Sequence, residues 1–290
     1  MRGMSTLLIT GGTGYLGERL LPIAAQRADL VAAARNPRAL SRLYNPCAMD
    51  LCDRTSVFEQ VKAIHPSAII HAAAINPGVD DAMMETVNHQ GTGYLAEAAN
   101  QIGCRLVLVS TDMVHDGKGA PYADDAAPNP VNDYGHSKAR GESAALNANP
   151  NSIAVRTSLI YGLDSMDRGT LGFANRLADG HTLTLFDDVL RQPVWRDALA
   201  DSLVRLALDH TSETGFINLA GSQLLDRATF GEKMLGFWQV PVTDGAIEHI
   251  QAAGRDDLAG VPLNVEMSLA RAESLGLPTP SVDEVFEQHK

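Results

Sequence analysis

TGGTGYLG, residues Thr10–Gly17, decides the fold. It follows an apolar run, Thr6–Thr10 (TLLIT), that reads as a buried strand. It opens Tyr15–Arg27, where Leu16, Leu20, Leu21 and Ile23 recur near helical spacing. Gly11, Gly14 and Gly17 fit G-x-x-G-x-x-G, and a glycine motif gains meaning from such a strand–loop–helix setting. Gly11 makes the tight turn, Gly14 lets the backbone approach a pyrophosphate, and Gly17 lets helix and strand pack closely. The helix start then offers unpaired N–H groups and a positive dipole end to phosphates. Thr13, Tyr15 and Leu16 fall on the same cradle.

The pattern repeats outward from this loop. Leu30–Ala34, Cys47–Met49, Ala68–Ala72 (AIIHA), Arg105–Val109 (RLVLV) and Ser152–Arg156 (SIAVR) read as strands. Helical patterns over Arg54–Ile64, Met83–Gln101 and Tyr134–Leu146 alternate with them. Such alternation implies right-handed β-α-β units and a parallel sheet covered on both faces. The predicted fold is α/β, a Rossmann-type doubly wound parallel sheet over residues 1–160. After Tyr161 the segments shorten, and Gly, Asp and Pro interrupt them. Residues 161–290 are expected to form mostly a smaller, substrate-binding lobe. Segments near 185–210 return to the main domain, Ala198–Leu208 as a helix, and Gly215–Leu219 reads as a strand.

The end of the second strand selects the dinucleotide. NAD sites tend to place an acid there for the ribose diol. This chain has AAARNPR, with Arg35 at that position and Arg38 following. A guanidinium favours a 2′-phosphate, so NADP is expected over NAD. Asp50 and Leu51 end the third strand, within reach of an adenine. Ala72, Ala73 and Ala74 leave room for the cofactor after the fourth, and Asn88 in the next helix is either a backbone-ordering amide or a surface residue.

YGHSK, Tyr134–Lys138, places a phenol and an ammonium at i and i+4 on one helix face. The ammonium is expected to lower the phenol's pKa and to hydrogen-bond a nicotinamide ribose. A carbonyl that accepts hydride needs a proton donor, which Tyr134 supplies. Ser110 and Thr111 follow the fifth strand at its C-terminal end, where open parallel sheets bind ligands, and Thr111 offers the second hydroxyl.

With these residues in order, the chain resembles an extended short-chain dehydrogenase/reductase. TGGTGYLG, STDMVHDG, PY-x-x-D, YGHSKARGE and VRTSLIYG carry the likeness. Within that group it is most similar to dTDP-4-dehydrorhamnose reductases and related sugar-nucleotide-binding proteins. The resemblance implies Thr111, Tyr134 and Lys138 as a catalytic triad and Asn88 as the helix asparagine near the nicotinamide pocket. It implies an NADPH-dependent reduction of a 4-keto group on a nucleotide-linked deoxysugar. Thr157 in the RTS strand, Met113 and Val114 after the triad threonine, and Arg191 and Trp195 of RQPVW are expected at the substrate. His115 is a candidate neighbour of the sugar, and Arg196 a second candidate for its diphosphate. Relatives often carry STDYVF where this chain has Met113 and His115. Related dehydratases usually show STDEV, and Met113 replaces their second acid, which favours reduction over elimination. A non-catalytic regulatory subunit, an epimerase and a ketoreductase for another carbonyl are the alternatives.

Composition narrows the partners. The chain has 290 residues, 45% hydrophobic, with net charge −12 and no Lys/Arg-rich run, so nucleic acid and anionic membrane are not expected partners. MRGMSTLLITGG has too short an apolar run for a signal peptide, and no stretch approaches the ~20 apolar residues of a membrane span. Cys47, Cys52 and Cys104 lack C-x-x-C spacing. They read as reduced thiols in a cytosolic protein, with no metal site. A homodimer is a family expectation.

Overall fold

A seven-stranded sheet in the order β11-β6-β5-β4-β1-β2-β3, with every neighbouring pair parallel, organises the chain in a computed structural model that describes residues 5–78 and 81–289. The first four residues of the N-terminal stretch read above lie outside the described residues. In chain order the strands are β1 (Thr6–Thr10), β2 (Asp29–Ala34), β3 (Cys47–Ala48), β4 (Ala68–His71), β5 (Arg105–Val109), β6 (Ser152–Thr157), β7 (Ile160–Tyr161), β8 (Leu183–Phe186), β9 (Leu190–Arg191), β10 (Val194–Trp195), β11 (Gly215–Leu219), β12 (Leu225–Asp226) and β13 (Ile247–Ile250). The α-helices are α1 (Tyr15–Ala25), α2 (Arg54–Ile64), α3 (Asp81–Met84), α4 (Thr92–Gln101), α5 (Asp133–Ala148), α6 (Arg168–Ala178), α7 (Arg196–Leu208), α8 (Arg227–Phe237), α9 (Ala270–Ser274) and α10 (Val282–Gln288).

Strand pleating divides the sheet's apolar residues between two cores. Leu7, Ile9, Ile70, Val107, Ile153 and Val155 face α1 and α7. Leu8, Ile69, Leu106, Leu108 and Ala154 face the helices α2, α4 and α5. Burying a side chain of this size contributes about 1.5–3 kcal/mol, so both faces hold the sheet. Arg105, which opens the buried strand β5, donates from its guanidinium to the carbonyls of Leu206, His210, Thr211 and Glu213 and to Asn151 Oδ1. It ties the end of α7 to the sheet, far from the C-terminal strand ends.

The crossover from β3 to β4 reverses the strand order beside β1. The crevice this opens lies above the C-terminal ends of β1 and β4, where ligands bind in such sheets.

The expected single helix Met83–Gln101 is interrupted. A π-helical turn, Glu85–Gly91, separates α3 from α4. Such turns concentrate at functional sites. At Gly91 an added Cβ would lie 2.7 Å from the Leu51 carbonyl oxygen, so the wider turn is packed against the end of β3's loop.

The return of the C-terminal half also differs from expectation. Val194, α7, β11, Ala272 and Leu277 pack into the main core, whereas Leu183 and Leu185 of β8 stay outside it. β11 extends the main sheet beside β6, because GFINL is apolar enough to be covered on both faces. The remainder forms a lobe from α6, α8, α10 and the parallel pair β8–β13, with small cores around Tyr161, Phe230 and Met234 and around Leu183, Leu185 and Leu235. No helix among the described residues is long and apolar enough to cross a membrane.

Candidate active site

The glycine loop closes by a hydrogen bond from Gly14 N–H to the Gly11 carbonyl, and Gly14 caps α1 without a side-chain bond. The first N–H groups of α1, which have no partner within the helix, therefore open onto the crevice. Gly11 has φ +78°, and a Cβ there would meet Ala73 N at 2.5 Å. Only glycine allows β1's loop to approach β4's loop this closely.

A cleft of about 700 Å³ runs from this loop to the smaller lobe. Gly11, Thr13, Gly14, Tyr15, Leu16, Gly17, Ala72, Ala73 and Ala74 line one end. A side pocket beyond Ala73 is walled by Ala33, Arg35, Asp50, Leu51, Cys52 and Val87. Arg35 is exposed at its rim. Asp50 Oδ1 accepts the Cys52 N–H, which orients the carboxylate at that wall.

Ser110, Thr111, Met113, Tyr134, Lys138, Thr157 and Arg191 meet in the middle of the cleft. The sequence thus brings together side chains from β5, α5, β6 and β9. Asn132 caps α5 by accepting the Gly135 N–H at 2.8 Å. At Gly135 a Cβ would stand 2.2 Å from the Met113 carbonyl oxygen, so α5 starts hard against the Asp112–Val114 turn. Thr111 caps that turn, its Oγ1 accepting the Met113 N–H and donating to Asp112 Oδ1. Lys138 Nζ donates to the Val109 carbonyl at 2.8 Å.

The electrostatics differ from expectation. Burial pushes the Tyr134 phenol up to about 12, the Asp112 carboxyl adds to the rise, and the neighbouring Thr111 hydroxyl opposes it. The expected lowering by Lys138 is not seen: its ammonium is turned to the Val109 carbonyl, and burial outweighs what charge remains near the phenol. Lys138 itself is pushed down to about 8 by burial, opposed by Glu142. Tyr134 is therefore fully protonated near neutral pH, as a proton donor must be.

Several expected contacts are corrected. Asn88 is buried and lines neither pocket; its amide accepts from Ile75 N–H and donates to the Ile75 carbonyl and Ser137 Oγ. It orders the loop after β4, the backbone-ordering alternative of the two read from the sequence. Val114 is fully buried beneath the cleft floor because its side of the turn packs inward. Trp195 sits on the far side of β10, with its ring against His289 and beside a separate surface cavity. His115 is buried in a stack on Tyr122 with ring centroids 3.9 Å apart and does not line the cleft. Arg196 is committed to the Tyr15 carbonyl, Ser165 and Asp164, and its guanidinium lies over the Tyr15 ring.

Three further residues line the lobe end of the cleft. Asp112 is a buried carboxyl that accepts from Ser158 Oγ at 2.6 Å and lies 3.8 Å from Arg191 Nε. Burial raises its pKa and Arg191 opposes the rise. Arg227, at the start of α8, brings a second guanidinium near Asp112, and among the described residues that guanidinium has no hydrogen-bond partner. Phe186 adds an apolar wall. No local spacing marks Arg227 in RATFGEKM; only the fold of the lobe carries it to β9.

Residues 4–287 match the family described as the RmlD substrate binding domain. The chain belongs to this family. Its relatives include a dTDP-4-dehydrorhamnose reductase of Streptomyces griseus, 33% identical over 72% of this chain and 68% of that protein. Methionine adenosyltransferase 2 subunit beta of Bos taurus is 27% identical over 93% of this chain and 82% of that one. Among solved structures, a dTDP-4-dehydrorhamnose reductase from Bacillus anthracis in complex with NADP superposes with TM-score 0.79, covers 98% of each chain, and is 23% identical. That likeness supports the same RmlD-type fold: the doubly wound sheet and its lobe.

Proposed function

We propose that this RmlD-family chain reduces the 4-keto group of a nucleotide-linked deoxysugar with NADPH. The observation that carries the reading is the convergence of Thr111, Tyr134 and Lys138 in one cleft with an open glycine cradle. The cradle suits a dinucleotide because Gly11 and Gly17, where a Cβ would strike backbone of the β4 loop and of the glycine loop itself, hold the loop tight against β4 and α1, and Arg35 is exposed at the rim of the adenine-sized pocket. Bound NADPH supplies the hydride. Thr111 and Tyr134 orient the carbonyl oxygen, and Tyr134 gives it the proton. Lys138, lining the same cleft, holds the ribose. Thr157, whose buried Oγ1 has no protein partner among the described residues, Met113 and Arg191 face the sugar. Arg191 and Arg227 together fit an anionic group at the lobe end, the chemistry of a sugar-linked diphosphate. The lobe serves as the substrate-binding unit of a cytosolic enzyme whose ligands are small molecules.

The deciding experiment is an NADPH-oxidation screen over dTDP-linked 4-keto sugars and simple ketones. Turnover confined to the nucleotide sugars is expected; turnover of simple ketones alone would replace this substrate class. The likeness to a methionine adenosyltransferase subunit favours one second reading, a non-catalytic subunit. No oxidation with any substrate, together with co-purification of another enzyme, would favour it.

Cofactor choice has its own test. Arg35→Glu is expected to raise the NADPH KM by roughly 10–100-fold, the worth of one charge-assisted hydrogen bond, while the NADH KM falls. A wild-type preference for NADH of about tenfold or more would overturn the NADP assignment.

A further inference from the structure

YGHSKARGE ends on Glu142, to which the catalytic reading gives no task, and its carboxylate is almost fully buried at 1% exposure. Lys138 and Glu142 lie one turn apart on the inner face of α5. They grip consecutive residues at the end of β5. Lys138 Nζ takes the Val109 carbonyl at 2.8 Å, and Glu142 Oε1 takes the Ser110 hydroxyl at 2.6 Å. The next residue is Thr111. We propose that Glu142 is a positioning residue, which pins the strand end carrying Thr111 and sets a buried negative charge one helical turn from Lys138.

The carboxylate is itself held. Arg156, fully buried on β6, donates to both of its oxygens at 3.1 and 2.9 Å and to the carbonyls of Asp124 and Ala126. Its guanidinium also lies 4.2 Å from the Phe216 ring centroid. A buried ion pair is often no more stable than apolar side chains of the same volume. Its placement directly behind Ser110 and Lys138 supplies a reason for it that stability does not.

The groups packed around Lys138 give the sign of the effect. Glu142 and Tyr134 come from its own helix, His71 from β4, Asp112 from the turn after β5, and Arg156 from β6 behind Glu142. His71 is pushed down to about 3 by burial, so it is neutral in the working range. It bonds Thr10 and Thr92 through its two ring nitrogens. Glu142 is the group that favours the Lys138 charge against desolvation.

The role rests on the reductase reading for its purpose, but its test needs neither cofactor nor substrate. The chain has five lysines, so 13C-lysine labelling gives few enough signals for Lys138 to be assigned with Lys138→Met. Its titration is then followed by NMR. Glu142→Gln alone strands Arg156 without an anion, so the pair Glu142→Gln/Arg156→Met, which leaves no buried charge there, is compared with wild type. In that pair the Lys138 midpoint is expected to fall by about one pH unit or more. Glu142→Asp keeps the charge and is expected to hold the midpoint near that of wild type. An unchanged midpoint in the folded double variant overturns the proposal. Absence of turnover in the wild-type screen would instead remove the reductase reading and leave the titration result standing.

Discussion

Tyr134→Phe is expected to lower kcat for keto-sugar reduction by about 10²–10⁴-fold while NADPH binds as before. The phenol lines the cleft beside Thr111, and its burial keeps it protonated across the physiological range. Phenylalanine preserves the ring and its packing, so only the proton source is lost. A variant retaining full activity would end the mechanism; one that lost NADPH binding would show that the hydroxyl serves the cofactor instead. The pH profile carries a second check. Tyr134 stays protonated below about 12, so the alkaline limb belongs to Lys138, pushed down to about 8. The rate should fall above that pH as the ammonium that holds the ribose is lost. Stability moves the other way for this group. Unfolded lysine titrates near 10.5, so between about 8 and 10.5 the unfolded chain binds the extra proton, and raising pH favours the folded state. A fall in rate across that window without a fall in Tm separates loss of the ammonium from unfolding.

What could be read from the chain follows from which interactions are local. The conformation of Thr10–Gly17 was legible because strand, turn and helix are adjacent, and each glycine answers to a backbone distance. Arg54–Ile64 and Arg105–Val109 have the bounds their patterns implied, since apolar periodicity alone fixes them. The helix Met83–Gln101 concealed its π-turn because the turn is caused by contacts from elsewhere: Leu51 against Gly91, and α5 at Gly141, where a Cβ would stand 2.2 Å from the Asn88 carbonyl oxygen. Trp195 and Arg196 looked apt for a nucleotide by residue type, but the end of the two-residue strand β10 turns Trp195 to His289 and the start of α7 turns Arg196 to Tyr15, and neither facing has a sequence signal. Arg227 was invisible for the converse reason: the lobe brings it to the cleft from a helix start with no motif. Burial, too, reversed the expected effect at Tyr134, because an ammonium's influence depends on where it points and not only on its helical spacing.

Gly17→Ala is the change expected to damage fold and site together. An added Cβ would lie 2.2 Å from the Gly11 carbonyl oxygen and 2.6 Å from Gly12 Cα, and both are backbone atoms that no rotamer change can move. Alanine gains about 1 kcal/mol over glycine in a helix interior, so propensity alone predicts a more stable protein. The clash opposes this: overpacking costs about 1–3 kcal/mol, and relief requires α1 to move away from β1. That movement also displaces the Tyr15 and Leu16 N–H groups, and a shift of about 1 Å in a binding group can cost on the order of 10²-fold. The expected result is a lower Tm together with about a 100-fold weaker NADPH Kd, measured by fluorescence titration. Gly172→Ala in α6 is the control, since a Cβ there meets nothing within 4 Å, and it should gain up to about 1 kcal/mol with NADPH binding unchanged. If Gly17→Ala behaved like Gly172→Ala, the close helix–strand approach would not be what shapes the cradle. The glycine loop would then lose its claim to the cofactor.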